Sequence, residues 1–177
     1  MQTLYLIRHT RPDIPAGTCY GQLDIGLVDD FAAHAHDIAD LLPPPDLIIT
    51  SPLQRTRQLA EHLAAAHRCE LRRDARLIEK NFGAWEGKAW DDIPRDEIDA
   101  WATDLLGYAP PGGESAQQLL QRVEEVLEDI TLLPQQEIAI VAHGGSIRAM
   151  LALIAEEPLV STLVWGIEYG AVIAVRI

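Results

Sequence analysis

The sequence has few cysteines, few positive charges and no long apolar run. Cys19 and Cys69 are its only cysteines in 177 residues, too few to frame a disulfide-built secreted fold. Lysine and arginine number 14 against 27 aspartates and glutamates, a formal net charge of −13. A surface this acidic repels phosphate backbones and anionic headgroups. That argues against nucleic acid or a membrane surface as a partner. Any anionic ligand must be held by a local cluster of positive charge working against the overall field. No apolar stretch approaches the about 20 residues that cross a bilayer. Met1 to Ile7 is apolar, but Arg8 follows too soon for a signal peptide, so the expected location is the cytoplasm. Internal repeats, low-complexity tracts and interdomain linkers are also missing. The length suits one domain, residues 1–177, and 48 % hydrophobic with 23 % charged residues is ordinary for a globular chain. No pattern in the sequence specifies an oligomeric state.

Three segments share one design: a short apolar run, then polar punctuation, then a helical period. They are Thr3-Leu4-Tyr5-Leu6-Ile7 ending at Arg8-His9, Leu47-Ile48-Ile49-Thr50 followed by Ser51-Pro52, and Ile138-Ala139-Ile140-Val141-Ala142 ending at His143-Gly144-Gly145. Runs without alternation fit strands covered on both faces, as in a parallel sheet. Val28, Phe31, Ala32, Ala35, Ile38, Ala39 and Leu42 recur at helical spacing, with Asp29 and Asp30 in the first turn. Ser51 suits an N-cap and Pro52 a first helical position, opening a helix to about His67. Further apolar helical faces run from Leu119 to Ile130 and from Ile147 to Ile154, and Gly170 to Ile177 reads as a last strand. Strands alternating with helices predict a three-layer α/β/α fold on a mostly parallel sheet. Residues 81–113, with three of the four tryptophans and a Pro-Pro-Gly-Gly turn, read as an excursion over the active-site edge.

Ligands of open α/β sheets bind beyond the carboxyl ends of the strands. The residues that fall there are Arg8-His9, Ser51 with Arg55 four residues on, and His143-Gly144-Gly145. Taken singly, each is ordinary: a strand-end arginine is usually a solvated charge, a histidine beside a strand usually structural, and Gly-Gly usually a tight turn. Together they bring two imidazoles and two guanidiniums to one edge of a strongly acidic protein. Arg55 falls in a first helical turn, and Gly144 and Gly145 leave backbone N–H groups open at another helix start. That combination favours a phosphate. Arg57, two residues beyond Arg55, points to the other side of the helix and reads as surface charge. Arg148 could reach a ligand or face solvent. Trp85, Trp90 and Trp101 read as packing or lid rather than a ligand cage.

The chain resembles the histidine phosphatase superfamily, the phosphoglycerate-mutase-like fold. The resemblance is carried by Leu6-Ile7-Arg8-His9-Thr10, Thr50-Ser51-Pro52-Leu53-Gln54-Arg55-Thr56, Leu77-Ile78-Glu79 with Phe82-Gly83-Ala84-Trp85-Glu86-Gly87, Pro111-Gly112-Gly113-Glu114-Ser115, and Val141-Ala142-His143-Gly144-Gly145. It implies that His9 is a nucleophile forming a phosphohistidine. It further implies that Arg8, Arg55, His143 and the Gly144 amide hold the phosphoryl oxygens, and that Glu79 protonates the leaving oxygen and then activates water. Phosphoryl transfer demands positioning and charge stabilisation above all. His9 must be neutral, with its other ring nitrogen pinned. Glu79 must hold a proton at the first step, which partial burial or Glu86 nearby would favour. Two arginines and a protonated histidine would supply the charge, so no metal or other cofactor is expected, and no carboxylate or cysteine cluster has metal-ligand spacing.

Where the family usually continues Gly-Glu-Thr after the histidine, Thr10-Arg11-Pro12 stands here, and Gly26-Leu27-Val28 replaces the usual Pro-Leu-Thr helix start. Neither change removes a group with an implied catalytic role. With Gly17-Thr18-Cys19-Tyr20-Gly21-Gln22-Leu23-Asp24 and the Phe82–Gly87 stretch, the first is similar to a subgroup known as α-ribazole phosphatases. That resemblance implies hydrolysis of α-ribazole 5′-phosphate in cobalamin biosynthesis, with Tyr20 and Gln22 as candidate substrate contacts. The alternatives are a phosphatase of broad small-molecule scope, a phosphoglycerate mutase, and a pseudoenzyme that binds phosphorylated ligands. A mutase needs extra lid sequence and extra basic residues, of which this short acidic chain has little. The five groups His9, Arg8, Arg55, His143 and Glu79 together argue against a pseudoenzyme.

Overall fold

Side chains alternate across the strands and so define two apolar layers. In β1 (Thr3–Arg8), Leu4 and Leu6 join one buried cluster while Tyr5 and Ile7 join the other. The same division holds in β2 (Leu47–Thr50) and β4 (Glu137–Ala142): Leu47, Ile49, Ile138 and Ile140 face one way, Ile48, Ala139 and Val141 the other. Strands buried on both faces need helices on both faces, and each fully buried Leu or Ile contributes about 1.5–3 kcal/mol relative to exposure. Helices α1 (Phe31–Leu41) and α2 (Gln54–His67) cover one side through Ala35, Ile38, Leu59 and Leu63. On the opposite face, α4 (Ala116–Thr131) and α5 (Gly144–Ile154) pack through Leu119, Val123, Ile130, Ile147 and Met150. The computed structural model describes residues 1–177 and is a three-layer α/β/α fold.

The sheet has five strands in the order β3-β2-β4-β1-β5, where β3 is Glu70–Arg73 and β5 is Val172–Arg176. All neighbours are parallel except β5, which runs antiparallel to β1. The register sets Arg8 opposite Ala142 and Thr50 opposite Val141. His9, His143 and Ser51 therefore leave the same edge of the sheet side by side. No helix is long and apolar enough to cross a membrane.

The structure corrects two helix starts. Helix α1 begins at Phe31, after the acidic pair, and Asp30 in the N-cap position makes no side-chain cap bond. Helix α2 begins at Gln54, and Ser51 is not its N-cap. The orphan amide of Gln54 is taken instead by the Asp24 carboxylate from a distant loop, at 2.6 Å. Strand β3 escaped the sequence reading because it is a charged, half-exposed edge of sequence Glu-Leu-Arg-Arg with no apolar run. Residues 81–113 contain short 3₁₀ turns and α3 (Arg95–Thr103), which the sequence reading did not name. Their anchor is a small buried cluster of Cys19, Trp85 and Ile93, against which Phe82, Trp90 and Trp101 pack. Burial there pushes the Cys19 thiol up to about 12, so it serves as packing.

Candidate active site

At the carboxyl edge of the sheet, polar side chains are buried without partners. His9, Ser51, Arg55 and His143 are all buried. Four buried side-chain nitrogens have no hydrogen-bond partner here: Arg8 Nε, Arg55 Nε, His143 Nδ1 and Arg148 Nε. An unmet buried donor costs about 1–3 kcal/mol, so a group of them marks a place meant for an acceptor that the chain does not supply. Beside them opens a cleft of about 530 Å³, lined by Arg8, His9, Tyr20, Glu79, Arg148 and Tyr169 among others.

The His9 ring is oriented by its own loop. Nδ1 lies 2.7 Å from the Thr10 carbonyl, which fixes the proton on Nδ1 and leaves the Nε2 lone pair unengaged. Burial, with Arg55 and Arg8 close by, pushes the imidazole down to about 3, so His9 is neutral at physiological pH. His143 stands edge-on to it, ring centroids 5.3 Å apart, and its Nε2 meets the Ser51 hydroxyl at 2.7 Å. Burial and the same cationic neighbours hold His143 well below the usual imidazole range. The site's positive charge resides on arginines, and burial beside them disfavours the protonated form of both rings.

Arg55 is carried into this cluster by the first turn of α2. Its Nη1 and Nη2 donate to the Leu23 and Gly21 carbonyls at 2.7 and 2.5 Å. Of its five N–H groups, Nε among them is left for a ligand. Arg8 donates to the Ile167 carbonyl at 2.5 Å and lies 4.0 Å from the Tyr169 ring centroid. The Tyr169 hydroxyl meets that of Tyr20 at 2.6 Å, so Tyr20 does line the cleft. Gln22 behaves differently: its side-chain amide donates to the Glu79 carbonyl at 3.1 Å. Glu86 is bonded to backbone amides of two segments. Its carboxylate accepts the amides of Gln22, Leu23 and Phe82 at 2.8–3.1 Å, binding the 20–25 loop to the Glu79 segment.

Glu79 lines the same cleft and is tied to the start of α5. One carboxylate oxygen accepts its neighbour Lys80 N–H at 2.8 Å and the other accepts Gly145 N–H at 3.0 Å. A side chain at position 145 would displace that carboxylate. Gly145 therefore has no open amide, contrary to the sequence reading. The Gly144 N–H has no partner in the chain and points from the start of α5, flanked by Arg8 and Arg148. Arg148 donates to the Trp165 carbonyl at 3.1 Å and lines the cleft, so its guanidinium is not merely solvated. Arg57 is the surface charge expected, paired with Glu61 at 3.1 Å.

A second, apolar crevice of about 250 Å³ adjoins the cleft. It shares Glu79, Phe82, Trp90 and Arg148 with it and is walled further by Trp101 and Leu163. No group of three or more His, Cys, Asp or Glu side chains is placed to hold a metal ion. Two residues at the site, Tyr169 and Arg122, carry no motif signature in the sequence. Arg122 had one signal, as the only basic residue in a helix that also carries Glu124, Glu125, Glu128 and Asp129.

The chain is similar to known proteins over most of its length. The chain is 30 % identical over 171 residues to a glucosyl-3-phosphoglycerate phosphatase of Mycobacterium tuberculosis, covering 88 % of this chain and 76 % of the relative. It is 31 % identical over 162 residues to a Serratia proteamaculans protein described as a probable phosphoglycerate mutase, covering 87 % and 75 %. Among solved structures, the α-ribazole phosphatase from Shigella flexneri superposes with a TM-score of 0.91 at 26 % identity, over 99 % of this chain and 91 % of that one. The family model described as "Histidine phosphatase superfamily (branch 1)" matches residues 4–177. The chain thus belongs to the histidine phosphatase superfamily and is a phosphoric monoester hydrolase of the phosphoglycerate-mutase-like fold.

Proposed function

We propose that the protein hydrolyses a small phosphomonoester through a phosphohistidine on His9, without a metal, and that α-ribazole 5′-phosphate is its substrate. One observation carries the first part: His9 is neutral, pinned through Nδ1, and its Nε2 is unengaged among unpartnered cationic donors. In this reading the Nε2 lone pair attacks phosphorus in line as the ester P–O bond breaks. The leaving oxygen takes its proton from Glu79. Arg8, Arg55, His143 and the Gly144 amide hold the non-bridging oxygens. Water then gives a proton back to the Glu79 carboxylate and attacks phosphorus, the P–N bond breaks, and inorganic phosphate leaves. A phosphate dianion beside His143 favours its protonated form, so the substrate itself brings the second histidine into its donor role.

Two features support the ribazole ester. The Gly17–Asp24 loop that carries the resemblance is built into the site, with Tyr20 on the cleft wall and Asp24 capping α2. The apolar crevice beyond Glu79 offers Phe82, Trp90 and Trp101 to the flat, apolar base carried by the departing ribazole nucleoside. A second reading is a phosphoester with a carboxylate near the ester oxygen. The cleft favours it through Arg11 and Arg148, which line it outside the phosphate-holding set. Phosphate release from α-ribazole 5′-phosphate, 3-phosphoglycerate and p-nitrophenyl phosphate separates the readings. The proposal expects the highest kcat/KM on the ribazole ester. A preference for 3-phosphoglycerate selects the carboxylate reading, and equal slow release from all three assigns broad scope and removes cobalamin biosynthesis.

A further inference from the structure

Arg122 on α4 is bonded to the backbone just before Glu79 and at Glu79 itself. Its Nη1 donates to the Arg76 and Ile78 carbonyls at 2.5 and 2.6 Å, and its Nη2 to the Glu79 carbonyl at 3.0 Å. The same guanidinium grips the Glu114 carboxylate with Nη2 and Nε at 2.6 and 3.2 Å. Glu114 in turn accepts the Asn81 amide at 2.9 Å, and its own amide donates to the Asn81 carbonyl at 2.9 Å. Residues 78–81 lie outside every helix and strand, so no ladder of regular hydrogen bonds holds them. The Arg122–Glu114 pair substitutes for one. Both side chains are largely buried, 18 % and 16 % exposed, and neither lines the cleft.

We propose that Arg122 and Glu114 form a clamp that positions the general acid. It fixes the backbone from residue 76 to residue 81 so that the Glu79 carboxyl stays at the leaving-group side of the cleft. The inference rests on Glu79 acting as that acid. A general acid must come within about 2.6–3.2 Å of the oxygen it protonates, and a displacement of about 1 Å can cost 10²-fold in rate. Only a planar fork can reach three carbonyls and a carboxylate at once. Lysine keeps the charge but supplies three donors from one point.

The test uses leaving groups that differ in their need for a proton. Nitrophenolate leaves unaided, whereas an alkoxide does not, so loss of acid positioning slows alkyl phosphates selectively. For Arg122→Lys, kcat/KM on an alkyl phosphate is expected to fall about ten- to hundredfold, with a far smaller fall on p-nitrophenyl phosphate. Inhibition by inorganic phosphate stays at the wild-type level, since the phosphate-holding groups are untouched. Glu79→Gln shows the same selectivity, and Glu114→Gln shows it more weakly, which keeps the test open if Arg122→Lys fails to fold. Equal losses on both ester classes, weakened phosphate inhibition, or no loss on either overturns the clamp. A Glu79→Gln protein that does not discriminate between the esters overturns the acid assignment itself.

Discussion

The strand-end half of the site and the Glu79 half treat their arginines in opposite ways. Arg8, Arg55 and Arg148 each leave a buried Nε unpartnered, whereas the Arg122 guanidinium is engaged by three carbonyls and a carboxylate. In the first half, donors left over at the ends of β1, β4 and α2 await an anion. In the second, every donor is used, and the result is a fixed backbone. Buried arginine therefore has two uses here. Counting its satisfied N–H groups separates a ligand site from a scaffold.

The contrast predicts a graded set of effects. The largest falls on the unsatisfied half: Arg55→Ala should lower kcat/KM by about 10²–10³-fold, the scale seen when one donor to a developing charge is lost. Steady-state kinetics on any turned-over ester reads it. Arg57→Ala, two residues away and paired only with Glu61, should change kcat/KM by less than about twofold and stability by less than about 1 kcal/mol. A loss on Arg57→Ala comparable to that on Arg55→Ala would erase the distinction.

A subtler effect is on stability. His9 and His143 are held below the usual imidazole pKa by burial and by the arginines, so between the unfolded and folded values the unfolded chain binds more protons. Their contribution is fully present above about pH 6.5 and is lost as pH falls toward the folded value of about 3 for His9. The slope approaches about 1.4 kcal/mol per pH unit for each histidine. Urea unfolding from pH 7 to pH 4.5 should show stability decreasing on acidification, with a shallower decrease in His9→Ala. Saturating inorganic phosphate should flatten it further by stabilising protonated His143. Identical slopes in the wild-type and His9→Ala proteins would contradict the buried neutral pair.

The layers were legible because apolar runs such as Leu47-Ile48-Ile49 are buried on both faces and so lack alternation. The strand-end cluster was legible because its residues follow those runs directly. What escaped has a common cause in side chains bonding across long sequence separations. The α2 amide is capped by Asp24, thirty residues back, which freed Ser51 to bond His143. Arg122 reaches carbonyls more than forty residues away, and Tyr169 is brought to Arg8 only by the antiparallel return of β5. The protonation of His143 depends on the ligand, because burial and the neighbouring arginines disfavour an imidazolium until an anion joins them.

The central claim is that phosphorus passes through His9 Nε2. Rapid acid-free quenching of the enzyme during turnover of a ³²P-labelled ester tests it most directly. The wild-type protein should carry label that survives alkali and is released by acid, and His9→Ala should carry none. Label that persists in His9→Ala, or turnover by that variant at the wild-type rate, would contradict it.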